Sequence, residues 1–166
     1  DLVYVVGDTK AELGGSQYSL LKGAIGNNVP KVDAEYAMSV FQAVSETTEK
    51  ELCHSLHTPA LGGLAAGFAK VAIGGQLGLD IDLNKIPADD LSTAELLFSE
   101  SNTRFIATIA KENAADFESH FASLPCAQVG IVTLDDEIVF RQGKHIEAAV
   151  SLEKLSKSYK TTLDNV

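Results

Sequence analysis

Two kinds of apolar spacing share these 166 residues, and the order in which they come limits the fold. Strand spacing marks Val3-Tyr4-Val5-Val6, which Gly7-Asp8 stops, and Leu77 to Leu83, where Leu77, Leu79, Ile81 and Leu83 alternate with polar or small residues. Thr103 to Ala110 is the strongest strand pattern, and Leu52 to His57 is a weaker one. Val129–Thr133 and Glu137–Phe140 read as a hairpin around Leu134-Asp135-Asp136. Helix spacing marks Ala34 to Glu51, where Asp33 is a good N-cap and Ala37, Val40, Phe41 and Val44 share a face. It returns from Gly62-Gly63 to Gly74-Gly75, with Leu64, Phe68, Val71 and Ala72 inward. Shorter helices fit Ser16 to Ala24, Thr93 to Leu97 and Asn113 to Phe121, and Ser151 to Tyr159 is weakly helical. Strands and helices are mixed without strict strand–helix–strand alternation. The expected class is therefore α+β, a mixed α/β sandwich with a sheet packed against helices.

Charge narrows the partners. There are 23 acidic and 13 basic side chains, a formal net charge of −10. Nucleic acid and anionic membranes both demand basic patches, so neither is expected. No apolar run reaches the roughly 18 residues of a membrane-spanning helix, and no signal peptide opens the chain. Cys53 and Cys126 are too few for a disulfide scaffold and suggest a reducing, cytoplasmic setting. The first residue is Asp1 and the first strand follows at once, which gives the look of a piece of something longer.

Three groups of residues invite a chemical reading. Cys53, His54 and His57 lie within five residues of one another. On a regular strand Cys53, Ser55 and His57 would share one face and His54 the other, which splits the set. Paired zinc-ligand spacing is missing, so no metal site is expected. His120 and His145 read as surface residues. Gly14-Gly15-Ser16 and Gly62-Gly63 each precede a helix. They fit either backbone amides presented to a phosphate or a tight turn with close packing. No phosphate-loop or dinucleotide-binding motif is present. Asp80 and Asp82 read as the solvated face of a strand.

Several segments in fixed order carry a resemblance. They are Gly7-Asp8-Thr9, Glu12-Leu-Gly-Gly-Ser-Gln-Tyr18, His57 with Gly62-Gly63-Leu64, Leu97-Phe-Ser-Glu-Ser-Asn-Thr-Arg-Phe105 and Val129-Gly-Ile-Val-Thr133. Together they resemble the C-terminal domain of the aminoimidazole-ribonucleotide-synthetase-like superfamily over residues 2–141. The Glu-Leu-Gly-Gly-Ser-x-Tyr and Leu-Phe-Ser-Glu-Ser segments are most similar to the last such domain of the phosphoribosylformylglycinamidine synthases of purine biosynthesis. Other members remain alternatives: cyclo-ligases, selenophosphate synthetases, hydrogenase-maturation dehydratases and thiamine-phosphate kinases. A stand-alone dimerisation module is a further alternative.

The resemblance implies a domain over 1–145 and a helical tail over 146–166. It implies a parent enzyme that makes formylglycinamidine ribonucleotide from formylglycinamide ribonucleotide, glutamine and ATP. It also implies partners: an N-terminal ATP-binding domain, a homologous half and a glutaminase. Where the family reads His-Asp-x-Ser-Asp-Gly-Gly-Leu, this chain has His57-Thr58-Pro59-Ala60-Leu61-Gly62-Gly63-Leu64. The family's magnesium-binding Asp is Thr58 and its nucleotide-contacting Ser is Ala60. Magnesium wants hard anionic oxygens, so His57, Thr58, Ala60, Gly62 and Gly63 are expected to form a degenerate nucleotide site. Glu12, Gly14, Gly15, Ser16, Ser99, Glu100 and Ser101 are expected to line or buttress an interdomain cleft. No catalytic residue and no metal or nucleotide are expected on this domain, while ATP and magnesium belong to the full enzyme.

Overall fold

A computed structural model describes residues 1–161. The elements run β1 (Leu2–Val6), α1 (Gln17–Leu21), α2 (Ala34–Glu49), β2 (Cys53–His57), α3 (Gly63–Gly75) and β3 (Gly78–Asp82). Then come α4 (Thr93–Phe98), β4 (Phe105–Ile109), α5 (Ala114–Ser119), β5 (Cys126–Thr133), β6 (Glu137–Gln142), β7 (His145–Ser151) and α6 (Leu152–Lys160). The strands form one seven-stranded sheet in the order β2-β4-β1-β5-β3-β6-β7. Every pairing is antiparallel except β3 with β6. This is the α+β class that the mixed patterning predicts.

Helices cover both faces of the sheet. On one face α3 and α4 place Leu64, Phe68, Ala72, Leu96 and Leu97 over Val3, Val5, Ile81, Ile106 and Val129, with α6 adding Leu155 at the margin. On the other, α2 and α5 bring Val40, Val44 and Phe117 onto Tyr4, Val6, Ala107 and Ile109. Strand β1 lies between these layers, which is why Val3-Tyr4-Val5-Val6 is continuously apolar rather than alternating. Each fully buried side chain of this kind contributes about 1.5–3 kcal/mol. Tyr4 keeps its polar end satisfied by donating from its hydroxyl to Glu118 Oε1 (2.6 Å), and burial raises its pKa.

The expected hairpin of β5 with β6 does not form. Strand β3 lies between them, antiparallel to β5 and parallel to β6. The connection 134–136 therefore crosses the start of β3. At that point a Cβ on Gly78 would collide with Thr133 Oγ1 (2.5 Å) and with the carbonyls of Asp135 and Glu137. Residues 145–151 are a strand paired with β6, and 152–160 are the helix. Of the helical tail expected over 146–166, the first part is thus β7, and residues 162–166 lie outside the described residues. Asp80 is not simply solvated, since Arg141 Nε donates to its Oδ1 (2.5 Å) and Arg141 Nη2 to its Oδ2.

Candidate functional site

Two loops meet beside the start of α3 and build one polar network. The first runs from Gly7 through α1 to the start of α2. The second runs from Ser99 to Arg104. Ser16 caps α1, accepting from Ser19 N–H (3.2 Å) and donating to Leu13 O (2.7 Å). Gly14 sits against Asn28, whose backbone leaves no room for a Cβ there. Of the two readings of the Gly14-Gly15 turn, the close-packing one describes what Gly14 does.

The second loop ties the first to α3. The backbone N–H of Glu12 donates to Ser99 Oγ (3.2 Å), and that of Lys10 to Ser101 Oγ (3.1 Å). Glu12 is 4% exposed, and its Oε1 accepts from Lys31 N–H (3.1 Å). Glu100 makes the key link: its Oε1 accepts from Gln17 N–H (2.9 Å) and from Gly62 N–H (2.8 Å). One carboxylate oxygen thus bridges the first turn of α1 and the residue that precedes α3. Gly63 follows with φ +63°, and a Cβ there would lie 2.5 Å from Ser99 O. Only glycine accommodates both the left-handed backbone and that contact.

Arg104 holds the network from beneath and was not singled out by the sequence reading. It is 1% exposed. Its Nε donates to Ser101 O (3.0 Å), its Nη1 to Thr9 Oγ1 (3.0 Å) and its Nη2 to Ser99 O (2.6 Å). Burial lowers its pKa to about 10, while Glu12 and Glu100 act in the opposite direction. The guanidinium therefore stays charged at neutral pH. A signal for it did exist. Strand alternation puts Arg104 on the same side as Ile106 and Thr108, facing α3, so an inward arginine was legible.

Not all the expected site residues come together. Glu12, Ser16, Ser99, Glu100, Ser101, Gly62 and Gly63 belong to this network or pack on it. Thr58 and Ala60 are exposed, and Ala60 O accepts from Gly63 N–H (3.0 Å) in the turn before α3. His57 points elsewhere, into a cavity beside Lys70. A bulge in the pairing of β2 with β4, between Cys53 and Ser55, corrects the expectation that Cys53, Ser55 and His57 share a face. Cys53 packs with the α2 layer, whereas the Ser55 and Thr108 hydroxyls hydrogen-bond to each other at 2.7 Å on the α3 side. His120 is also more enclosed than expected: its side chain is 11% exposed, and Nδ1 lies 3.1 Å from Glu46 Oε2. No group of three or more His, Cys, Asp or Glu side chains among the described residues could hold a metal ion.

Comparison with known proteins decides the family. Residues 1–142 match the family described as AIR synthase related protein, C-terminal domain. The chain belongs to this family. Within it, the phosphoribosylformylglycinamidine synthase subunit PurL of Thermococcus sibiricus is 36% identical over 122 residues, covering 73% of this chain and 17% of that protein. The Thermococcus gammatolerans subunit is 36% identical over 120 residues, covering 72% and 17%. The chain therefore spans about a sixth of the length of these relatives. Thermotoga maritima PurL complexed with FGAR superposes with a TM-score of 0.80 at 18% identity, over 93% of this chain and 27% of that one. The same enzyme complexed with ATP gives 0.75 at 19% identity, over 93% and 25%. Hydrogenase maturation protein HypE gives 0.64 at 16% identity, over 91% and 51%. These likenesses show the shared fold.

Proposed function

We propose that this chain is the C-terminal domain of a phosphoribosylformylglycinamidine synthase, the enzyme that makes formylglycinamidine ribonucleotide from formylglycinamide ribonucleotide, glutamine and ATP. The two Thermococcus relatives support the assignment. In this reading the domain scaffolds one side of an interdomain cleft and is not catalytic alone. Its partners are the preceding ATP-binding domain, the homologous half and a glutaminase, in the cytoplasm.

The observation that carries the scaffold role is the Glu100 bridge. A nucleotide phosphate at a helix start is held by free backbone N–H groups. Here the Gly62 N–H is already satisfied by a carboxylate of the chain itself. That carboxylate would also repel an arriving phosphate. Nor do the neighbouring side chains fit magnesium, since Thr58 is neutral and Ala60 and Leu61 carry no ligand atom. The residues present therefore do not fit a magnesium nucleotide, and no chemical step is assigned to one on this domain.

Calorimetric titration with ADP and magnesium tests the scaffold role, on the wild type and on Thr58→Asp/Ala60→Ser. The expected result is no heat of binding to the wild type. Magnesium-dependent binding would overturn the scaffold reading. The synthase assignment is tested separately. A chimaera that carries residues 1–142 in place of the matching domain of the Thermococcus sibiricus subunit is expected to keep ammonia-dependent synthesis. A chimaera that folds but is inactive would count against it. The isolated chain is expected to show no turnover with formylglycinamide ribonucleotide, ATP and ammonia.

A further inference from the structure

The far end of α3 holds a cavity that the scaffold role does not use. Its volume is ≈ 380 Å³, and it opens between β2, the last turns of α3 and the sheet. It lies well away from the glycine turns, because α3 spans roughly 20 Å from Gly63 to Gly75. The walls are largely apolar, supplied by Val71, Leu79 and Val132. The size falls within the roughly 300–1,000 Å³ range of small-molecule sites. It is more than twice the ~150 Å³ apolar cavity that admits benzene.

Two polar groups at this cavity lack partners, and both point to one ligand chemistry. Lys70 lines it and makes no ion pair or hydrogen bond among the described residues. His57 lines it too, and its Nε2 is buried without a hydrogen-bond partner. Burial and the nearby Lys70 charge keep that ring neutral. The other polar groups are accounted for. Ser55 and Thr108 bond to each other, and the Asp1 carboxylate is turned to His54 Nδ1 (2.8 Å). Lys70, at the exposed rim, supplies the one side-chain cation among the described lining residues, so locally the cavity favours an anion over a cation although the protein as a whole is acidic. A buried unpartnered nitrogen is a deficit that a ligand's oxygen would relieve.

We propose that this cavity binds a small monoanion with an apolar body. The body lies on Val71, Leu79 and Val132, its charge is held by Lys70, and His57 turns its Nε2 to the same oxygen. The site is separate from the glycine turns and does not depend on the synthase assignment.

The test is a titration of the chain with 2-naphthoate, followed by NMR of the His57 ring and of the Val71 and Val132 methyl groups. Uncharged 2-naphthamide is the control. Naphthoate is expected to shift these resonances saturably and to raise the His57 pKa, because the bound anion favours the protonated ring. Lys70→Met, on the exposed side of α3, is expected to weaken binding at least tenfold. Naphthamide is expected to bind at least tenfold more weakly than naphthoate. Three results would each overturn the proposal. They are equal binding of the amide, undiminished binding by Lys70→Met, and shifts confined to a separate hollow, lined by Tyr18, Ala65 and Phe98 at the start of α3.

Discussion

At the start of α3, Gly62 N–H, Ser99 O, Ser101 O and the Thr9 hydroxyl all find partners within the chain, and Glu100 and Arg104 supply them. At its far end His57 Nε2 and Lys70 find none among the described residues. Both regions are polar patches against the same helix, yet they differ in what they leave for a visitor. A closed network holds loops in place. An open pair beside apolar walls leaves room for a ligand. Polarity alone does not mark a binding site, and the satisfaction of each donor and acceptor separates the two.

The contrast can be tested by substitution, and the largest effect is expected at the closed end. Arg104→Leu strips partners from two carbonyls and a hydroxyl at once, so it should cost about 3–5 kcal/mol in urea unfolding. A cost under ~1 kcal/mol would mean that water enters and replaces the guanidinium. Gly63→Ala comes next. It meets both a φ of +63° and the Ser99 carbonyl, and about 2–4 kcal/mol is expected. Gly15→Ala is its control, since φ there is +70° but nothing lies within 4 Å of the added Cβ, so about 1–2 kcal/mol is expected.

Glu100→Ala removes a single acceptor that serves two amides in a half-exposed setting. About 1–2 kcal/mol should be lost. Hydrogen exchange should quicken at Gln17 and Gly62 more than at neighbouring amides. Uniform acceleration instead would show that the bridge is not local.

The smallest effect belongs to the open end. His57→Leu should raise stability by about 1 kcal/mol or less, since it removes a buried nitrogen that finds no partner among the described residues. It should also flatten one pH dependence. The folded pKa of His57 is lowered from 6.5 by burial and by Lys70. As pH falls below that value the unfolded chain takes up the proton first, so the native state loses stability. The contribution is complete above about pH 6.5 and is lost as pH falls through the lower folded pKa. Acid titration of wild type against His57→Leu, monitored by circular dichroism, reads this out, and identical profiles would remove His57 from the account.

Much of this architecture was legible because it is local. Asp33 and Ser16 cap the helices assigned to them, and the glycine pairs fall at the turns where they were expected. What escaped was non-local. Period two identifies β5 and β6 as strands but does not name their neighbour, so the insertion of β3 left no trace except Gly78. The bulge that sends Cys53 to the α2 layer breaks the very alternation on which the face assignment rested. Strand β7 was missed because His145-Ile-Glu-Ala-Ala-Val lies at the margin of the sheet, with mostly exposed or half-exposed side chains. At the site, the resemblance points to Glu100 and Gly62. It did not reveal that they bond to each other, nor that His57 turns away from them towards Lys70. Those facts depend on three-dimensional packing, between segments 38 residues apart for Glu100 and Gly62 and between β2 and α3 for His57 and Lys70.

The crossing of residues 134–136 over β3 also dictates an order of assembly. Strands β2, β4 and β1 are contiguous in the sheet, and all three precede residue 110. Strand β3 is synthesised before β4, yet both its neighbours, β5 and β6, come after residue 125. On a growing chain β3 must wait, unpaired, for roughly 45 residues of later sequence. At typical synthesis rates of about 5–20 residues per second, that is a wait of seconds. Strand β5 then joins the three-stranded half to β3, and the connection after it straps β3 in place. A nascent chain that has emerged from the ribosome only as far as residue 125 therefore displays half a sheet and a stranded apolar segment, the kind of surface that chaperones bind.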